Sequence, residues 1–183
     1  MLTVGHGALP AAAFAEVLSA AGVEVLVDVR RYPGSRRHPH FAREEMAEWL
    51  PERGVAYRWL PSLGGRRPAV AGSANIALRN EQFRGYADHM ASAEFQGGVE
   101  ELLTMEDASR RVAVMCAEGL WWHCHRRLLA DHLVLVARVP VEHLFHDGRV
   151  VQHAPAPEAR RVDGHVVYDV TSQGPLFGQL EPE

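Results

Sequence analysis

Lysine is absent from this 183-residue chain, so all 19 of its basic residues are arginines. The absence excludes two kinds of active site, because Schiff-base catalysis needs a lysine amine and a P-loop needs its own lysine. Any anionic ligand must therefore be held by arginine guanidinium groups, histidine rings or backbone N–H groups. The formal net charge is −4, so the chain has no general attraction to nucleic acid.

Cysteines and long apolar runs are also scarce. Two cysteines are too few for a disulfide scaffold. Without a run of about 18 apolar residues or a secretory signal, we expect a cytoplasmic protein that does not enter a membrane. Its thiols are then reduced, and metal binding or catalysis is the expected use. The hydrophobic content of 47% is enough for a globular core. We expect one α/β domain over 1–170 and an extended or frayed tail over 171–183.

The apolar runs predict the fold class. Short apolar runs at 2–4 and 112–116 and a nearly continuous one at 23–29 are typical of strands buried on both faces, and helical patterns separate them. This alternation predicts a three-layer α/β fold, with a mostly parallel sheet, helices on both faces and a Rossmann-like topology. We expect the first two strands to be neighbours, and the order of the sheet reverses between them if the strand ending at Cys116 lies on the other side of the first one. Their carboxyl ends would then form a crevice for a ligand.

Two polar segments follow the first two strands. Gly5, His6 and Gly7 end the first, where glycines let the backbone approach a ligand and N–H groups can face an anion. A tight turn would explain the same residues. Asp28 and Arg30 end the second strand and point to the same side. They are candidates for substrate binding, and a structural salt bridge is the alternative.

The loop after the second strand adds Ser35 as a further substrate-binding candidate. It stands beside Arg36 and Arg37, which supply donors for phosphate or carboxylate. A solvated charged loop is the alternative interpretation.

The third polar segment contains the candidate catalytic residues Cys116, Glu118, Cys124 and His125. We expect Cys124 to open a helix, where the positive end of the helix dipole and its basic neighbours would lower the pKa of the thiol. That environment is typical of a nucleophilic thiolate. The same residues offer sulfur, oxygen and nitrogen ligands, but the paired Cys-x2-Cys of a zinc ribbon is missing, so no residue is assigned to a metal.

Two neighbours of this segment are candidates for substrate binding. Arg126 follows the second cysteine and could hold an anion, and Trp122 could stack on a base or a sugar. Tryptophans at such positions are as often core or subunit contacts.

Taken together, these segments resemble the uncharacterised bacterial family catalogued as domain of unknown function 488. The resemblance extends from Thr3 to about Tyr168. The family usually has a serine where this chain has Gly7. The resemblance implies an α/β fold and supports the choice of site, but it implies no reaction. The residues that carry it are Thr3-Val4-Gly5-His6, Asp28-Val29-Arg30, Pro33-Gly34-Ser35, Leu60, Leu63-Gly64-Gly65, Met115-Cys116-Ala117-Glu118 and Cys124-His125-Arg126.

Three hypotheses of function follow, in order of preference. The first is an enzyme that acts on a small anionic substrate, nucleotide-like or derived from nucleic acid, with Cys124 or Cys116 as nucleophile. The second is a metal-dependent enzyme with Cys, Glu and His ligands. The third is a non-catalytic module whose arginine-rich loops bind nucleic acid. The sequence leaves the cofactor and the oligomeric state unknown.

Overall fold

The computed structural model describes residues 1–34, 36–107 and 110–169. A six-stranded sheet forms its centre, and a two-stranded hairpin follows it in the chain. The strands of the large sheet are β1 (Leu2–Gly5), β2 (Val25–Asp28), β3 (Ala56–Trp59), β4 (Val112–Cys116), β5 (Glu142–Leu144) and β6 (Val150–Gln152), and those of the hairpin are β7 (Ala159–Val162) and β8 (His165–Tyr168). The predicted tail at 171–183 lies outside the described residues.

Helices cover both faces of the large sheet, because alternate residues of each buried strand point to opposite sides. On β2, Val25 and Val27 belong to one apolar core and Leu26 belongs to the other. Helices α3, α4 and α5 pack on the first core, and α1 and α2 on the second. The helices are α1 (Ala11–Ala20), α2 (Arg43–Trp49), α3 (Glu81–Met90), α4 (Ala93–Asp107) and α5 (Arg126–Leu135). The predicted three-layer, mostly parallel α/β fold is confirmed.

The strand order is β3-β2-β4-β1-β5-β6, and β1 to β5 are parallel. The expectation that β1 and β2 are neighbours is wrong, because β4 lies between them and pairs with both. All five residues of β4 are buried, as suits a central strand. Its insertion brings the carboxyl end of β4, where Cys116 stands, between the ends of β1 and β2.

The edge of the sheet beyond β5 is an antiparallel hairpin, as the Asp147-Gly148 pair predicts. Gly148 has a φ of 81°, in the left-handed region that such a turn requires. Among the described residues, no helix is long and apolar enough to span a bilayer.

The predicted start of the last helix is wrong by two residues. Helix α5 begins at Arg126, with His125 as its N-cap, and a short 3-10 turn at Trp121–His123 precedes it. Cys124 has extended backbone angles and lies before the helix rather than in its first turn. The argument from the helix dipole therefore weakens for this thiol, since the dipole acts within the first turn.

Two consecutive glycines in α4 give a matched test of this packing. An added Cβ at Gly97 would meet nothing within 4 Å, whereas one at Gly98 would collide with Oγ of Ser62 and lie 3.0 Å from Cδ2 of Leu63. We expect Gly97→Ala to raise the free energy of unfolding by about 0.5–1 kcal/mol. We expect Gly98→Ala to lower it by about 1–3 kcal/mol through overpacking. Urea denaturation measures both, and equal effects would contradict the placement of α4 against Ser62.

Candidate functional site

A pocket of about 220 Å³ opens at the carboxyl ends of the parallel strands. Cys116, the last residue of β4, lies in its wall, and Cys124 and His125 come from the segment just before α5. The expected ligand crevice is therefore present at the predicted edge. The complete lining is Arg30, Arg31, Tyr32, Gly65, Arg66, Gln82, Phe83, Cys116, Ala117, Glu118, His123, Cys124 and His125.

Three potential metal ligands converge in this pocket. The Sγ atoms of Cys116 and Cys124 and a ring nitrogen of His125 all lie within 4.8 Å of one another. Both cysteines are buried and His125 is half-buried. Nδ1 of His125 lies 3.5 Å from Sγ of Cys124. Two sulfurs and one imidazole make a ligand set that zinc accepts, with a fourth position open.

The two sulfur atoms are in direct contact, as in a disulfide, but the Cα atoms of the two cysteines are farther apart than in most disulfides. The Cα atoms of Cys116 and Cys124 are 7.7 Å apart. Disulfide-bonded cysteines usually keep their Cα atoms about 4.4–6.8 Å apart, and pairs beyond about 7 Å need a backbone movement to be bridged. The backbone positions thus fit two thiols that converge on a common point better than they fit a relaxed disulfide.

Arg126, expected to hold an anionic substrate, is buried and does not line the pocket. Its side chain donates to the carbonyl oxygen of Glu118 at 2.5 Å and to that of Gly119 at 3.4 Å. Its Nε donates to Sγ of Cys116 at 3.3 Å, and a guanidinium there favours the thiolate. Burial lowers the pKa of Arg126 to about 9, and the charge of Glu118 opposes that shift. Arg126, which the sequence predicts to lower the pKa of Cys124, thus contacts Cys116.

Gly65 forms the wall against which the ring of His125 packs. An added Cβ there would lie 2.8 Å from Nδ1 and 3.0 Å from Cγ of His125. The other side of the ring is in contact with Tyr86, at 4.9 Å between ring centroids. Desolvation and the charge of Arg126 lower the pKa of His125 to about 3, against a hydrogen bond to the backbone of Val29. The ring is therefore neutral at physiological pH, the form in which imidazole binds a metal.

Asp28 and Arg30 form a buried, bidentate ion pair. Nε and Nη2 of Arg30 donate to the two carboxylate oxygens of Asp28 at 2.8 and 2.6 Å. Tyr57 donates to the same carboxylate at 2.7 Å, and Arg30 also donates to the carbonyl of Phe41. Arg30 still lines the pocket, whereas Asp28 is fully buried behind it. Asp28 thus forms the structural salt bridge that was the alternative to substrate binding.

The Gly5-His6-Gly7 segment packs behind the pocket. Nε2 of His6 lies 3.2 Å from Nη1 of Arg30, and because arginine only donates, this nitrogen accepts. The other ring nitrogen then carries the proton and donates to the carbonyl of Gly7 at 2.9 Å. Burial and the charge of Arg30 lower the pKa of His6 to about 3. An added Cβ at Gly5 would collide with the carbonyl of Glu118, so this glycine permits close packing of two chain segments.

The structure divides the predicted site residues into two groups. The pocket is lined by all four candidate catalytic residues and by Arg30, while Ser35 lies outside the described residues. Six predicted substrate-binding residues do not line it: Gly5, His6, Gly7, Asp28, Arg126 and Trp122. Trp122 is 39% exposed on the surface, and the others are buried or packed behind the site.

Sequence reasoning missed several residues of the pocket. Arg31, Tyr32, Arg66 and His123 line its mouth. Arg31 and Tyr32 belong to the polar segment after the second strand, and Arg66 to an arginine-rich loop of the nucleic-acid hypothesis, but none of the four was assigned to catalysis or to a small substrate. The signal for Arg66 was its position directly after Gly64-Gly65, a pair that lets a loop approach the site. The position of Arg31 directly after Arg30, at the end of a buried strand, also indicates that it lies near the site. Gln82 and Phe83 come from the first turn of α3, which no local pattern connects to β4.

The mouth of the pocket has cationic groups without carboxylate partners. Among the described residues, neither Arg31 nor Arg66 forms a salt bridge. Arg31 donates to the carbonyl of Arg66 at 3.2 Å and stacks on Tyr32. Arg66 holds a positive φ of 59°. The residues that line this entrance thus carry the two guanidinium groups of Arg31 and Arg66 and one carboxylate, that of Glu118.

Comparison with known proteins gives a family but no activity. The model of the family described as domain of unknown function DUF488 matches residues 10–133, which include Arg30, the loop at 64–66 and the segment from Cys116 to His125. No curated protein and no solved structure matches the chain. The match spans more than half of the chain, and the protein belongs to the DUF488 family.

Proposed function

We propose that the protein is a metal-dependent enzyme, with zinc as the favoured ion, that acts on a small anionic substrate. One observation carries the proposal: ligand atoms of Cys116, Cys124 and His125 lie within 4.8 Å of one another in the wall of an open pocket. Two thiolates and one imidazole favour zinc over magnesium or calcium, which prefer oxygen ligands. This ranks the metal hypothesis above the thiolate nucleophile that the sequence alone favoured.

The arrangement suits hydrolysis. A zinc ion with three protein ligands keeps a fourth position and lowers the pKa of a water there to about 7. Glu118 lies at the exposed mouth of the same pocket, two residues after Cys116. Held by Cys116, Cys124 and His125, the ion would supply a water of lowered pKa for attack on the substrate. Glu118 would take the proton of that water as its oxygen bonds to the electrophilic atom, and would return the proton to the leaving group as the bond to that group breaks.

The charges at the entrance support the choice of substrate class. The guanidinium groups of Arg31 and Arg66 line the mouth without carboxylate partners among the described residues. Arginine forks bind phosphate and carboxylate with paired hydrogen bonds. Tyr32 is 61% exposed beside them and offers a ring for stacking. A nucleotide or a fragment of nucleic acid combines both features, so it is the substrate we propose.

Elemental analysis of protein purified under reducing conditions tests the proposal. We expect about one zinc ion per chain in the wild type, because three ligands of the correct type converge. The Cys116→Ser, Cys124→Ser double variant should contain almost none, since only His125 would remain.

His123→Ala is the matched control for this measurement. His123 is exposed and lies two residues from His125, but it is not one of the three converging ligands. Its replacement should leave the zinc content unchanged. A folded, metal-free wild type that shows no zinc after incubation with excess ion would disprove the metal site.

The thiolate mechanism stays a second candidate because of one contact. The N–H of Arg126 that donates to Sγ of Cys116 would also activate this thiol as a nucleophile. In that case the wild type is metal-free, and iodoacetamide at neutral pH should alkylate Cys116 faster than Cys124. Mass spectrometry of the labelled peptides distinguishes the two thiols.

A further inference from the structure

A buried chain of hydrogen bonds runs from the candidate metal site to a carboxylate in α5, that of Asp131. Nη1 of Arg126 donates to Oγ1 of Thr3 at 3.4 Å, and that hydroxyl lies 2.7 Å from Nδ1 of His143. Nε2 of His143 lies 2.9 Å from Nδ1 of His153, whose Nε2 lies 2.9 Å from Oδ1 of Asp131. All five residues are at most 5% exposed.

One assignment of protons satisfies every bond of this chain. Asp131, as a carboxylate, only accepts, so Nε2 of His153 donates and its Nδ1 accepts. Nε2 of His143 then donates to His153, and Nδ1 of His143 accepts from the hydroxyl of Thr3. That hydroxyl accepts from Arg126, which can only donate. With this assignment of protons, every bond points from the guanidinium toward the carboxylate.

The carboxylate end of the chain is firmly held. Asp131 also accepts from the hydroxyl of Tyr168 at 2.7 Å and from the backbone N–H of Ala156 at 2.9 Å. A buried carboxylate that is fully hydrogen-bonded can stay charged, and bonds aligned in one direction polarise one another. The chain of hydrogen bonds therefore connects the guanidinium of Arg126 to the carboxylate of Asp131.

The same chain of hydrogen bonds is also connected to Cys124. The ring of Trp121 stacks on His143, with 4.0 Å between the ring centroids and 7° between the ring planes. Trp121 begins the 3-10 turn at Trp121–His123, and its carbonyl accepts from the backbone N–H of Cys124 at 3.1 Å. His143 is thus linked to Cys116 through the hydrogen bonds of Thr3 and Arg126. It is linked to Cys124 through the ring and the carbonyl of Trp121.

We propose that Thr3, His143, His153 and Asp131 are positioning residues that fix Arg126 and Trp121, and through them set the two cysteines at metal-binding distance. This inference rests on the proposed metal site. Residues that hydrogen-bond to metal ligands orient those ligands, and their loss typically weakens metal binding 10–100-fold. Here the hydrogen bonds behind Cys116 run from the guanidinium of Arg126 through three side chains, those of Thr3, His143 and His153, to the carboxylate of Asp131.

Thr3 offers the cleanest test. Thr3→Val removes the hydroxyl that joins Arg126 to His143 and keeps the shape of the side chain, whereas Thr3→Ser keeps the hydroxyl. The probe is Co²⁺, whose bond to thiolate gives a charge-transfer absorption band. We expect Thr3→Val to bind Co²⁺ about 10–100-fold more weakly than the wild type, with a shifted band. Thr3→Ser should restore both the affinity and the position of the band.

A core variant separates positioning from a loss of stability. Leu18, a residue of α1, is buried in the apolar core on the face of the sheet opposite to the two cysteines. Leu18→Ala should destabilise the fold without weakening Co²⁺ binding. The positioning role is overturned if Thr3→Val binds Co²⁺ as the wild type does, or if Leu18→Ala weakens binding as much as Thr3→Val.

A wild type that binds no Co²⁺ would end the proposed metal function, and the chain of bonds is then tested on the thiol itself. With Cys124→Ser as background, we compare the rates at which iodoacetamide alkylates Cys116 in Thr3→Val and Thr3→Ser at neutral pH. A displaced Arg126 stabilises the thiolate less, so Thr3→Val should react several-fold more slowly. Equal rates would overturn the inference.

Discussion

Replacing Asp28 with alanine is expected to lower the free energy of unfolding by about 3–5 kcal/mol. The substitution leaves the guanidinium of Arg30, only 7% exposed, without its counter-ion. It also deprives the hydroxyl of Tyr57 of its acceptor. Urea denaturation of the wild type and the variant measures the loss.

Two further variants show whether the effect comes from the unpaired charge. Tyr57→Phe removes one hydrogen bond to the carboxylate and should cost about 1.5–3 kcal/mol, less than loss of the whole group. The double variant Asp28→Leu, Arg30→Met removes both charges and should recover most of the stability. A loss below about 1 kcal/mol for Asp28→Ala, the range of an exposed ion pair, would contradict the buried pairing.

Replacing Gly65 with alanine is expected to remove most of the metal affinity while the fold persists. The new Cβ would lie 2.8 Å from Nδ1 of His125, closer than real contacts allow. Tyr86 confines the ring from another side, so the ring has to turn away from the two sulfurs. Loss of a residue that hydrogen-bonds to a metal ligand typically weakens metal binding 10–100-fold. We expect the affinity of Gly65→Ala for Zn²⁺ to fall by at least this factor, because the variant displaces a ligand itself. Competition with a coloured chelator measures it.

Gly34→Ala is the matched control for this variant. Gly34 also lies in a loop after a strand, but an added Cβ there meets nothing within 4 Å. Its Zn²⁺ affinity should equal that of the wild type. Equal affinity in Gly65→Ala would show that His125 is not a ligand.

The strands and the site edge were predictable from local patterns. The continuous apolar run of β4 and the Asp147-Gly148 turn each encode their structure within a few residues. Polar residues directly after buried strands predicted the pocket, because parallel strands end at one edge of the sheet. All four candidate catalytic residues line that pocket for this reason.

The position of β4 was not predictable in the same way. The handedness rule for a strand-helix-strand unit fixes the direction of the crossover but not the number of strands it passes. A local pattern therefore allowed β1 and β2 to be neighbours, and pairing across more than 80 residues separates them.

The role of Arg126 depended on tertiary contacts in the same way. An arginine at the start of a helix could face solvent or the core, and nothing near it in sequence distinguishes the two. Carbonyl groups at Glu118 and Gly119 and the hydroxyl of Thr3 take its donors and hold it inside. The chain through His143 and His153 was hidden for a similar reason, since β1, β5 and the segment after β6 meet only in the fold.

X-ray absorption at the zinc edge of the reduced wild-type protein tests the central claim most directly. We expect two sulfur neighbours at about 2.3 Å, from Cys116 and Cys124, and nitrogen or oxygen neighbours at about 2.0–2.1 Å, from His125 and a water. A first shell of nitrogen and oxygen alone, or a spectrum that the Cys116→Ser, Cys124→Ser variant reproduces, would contradict the proposed site.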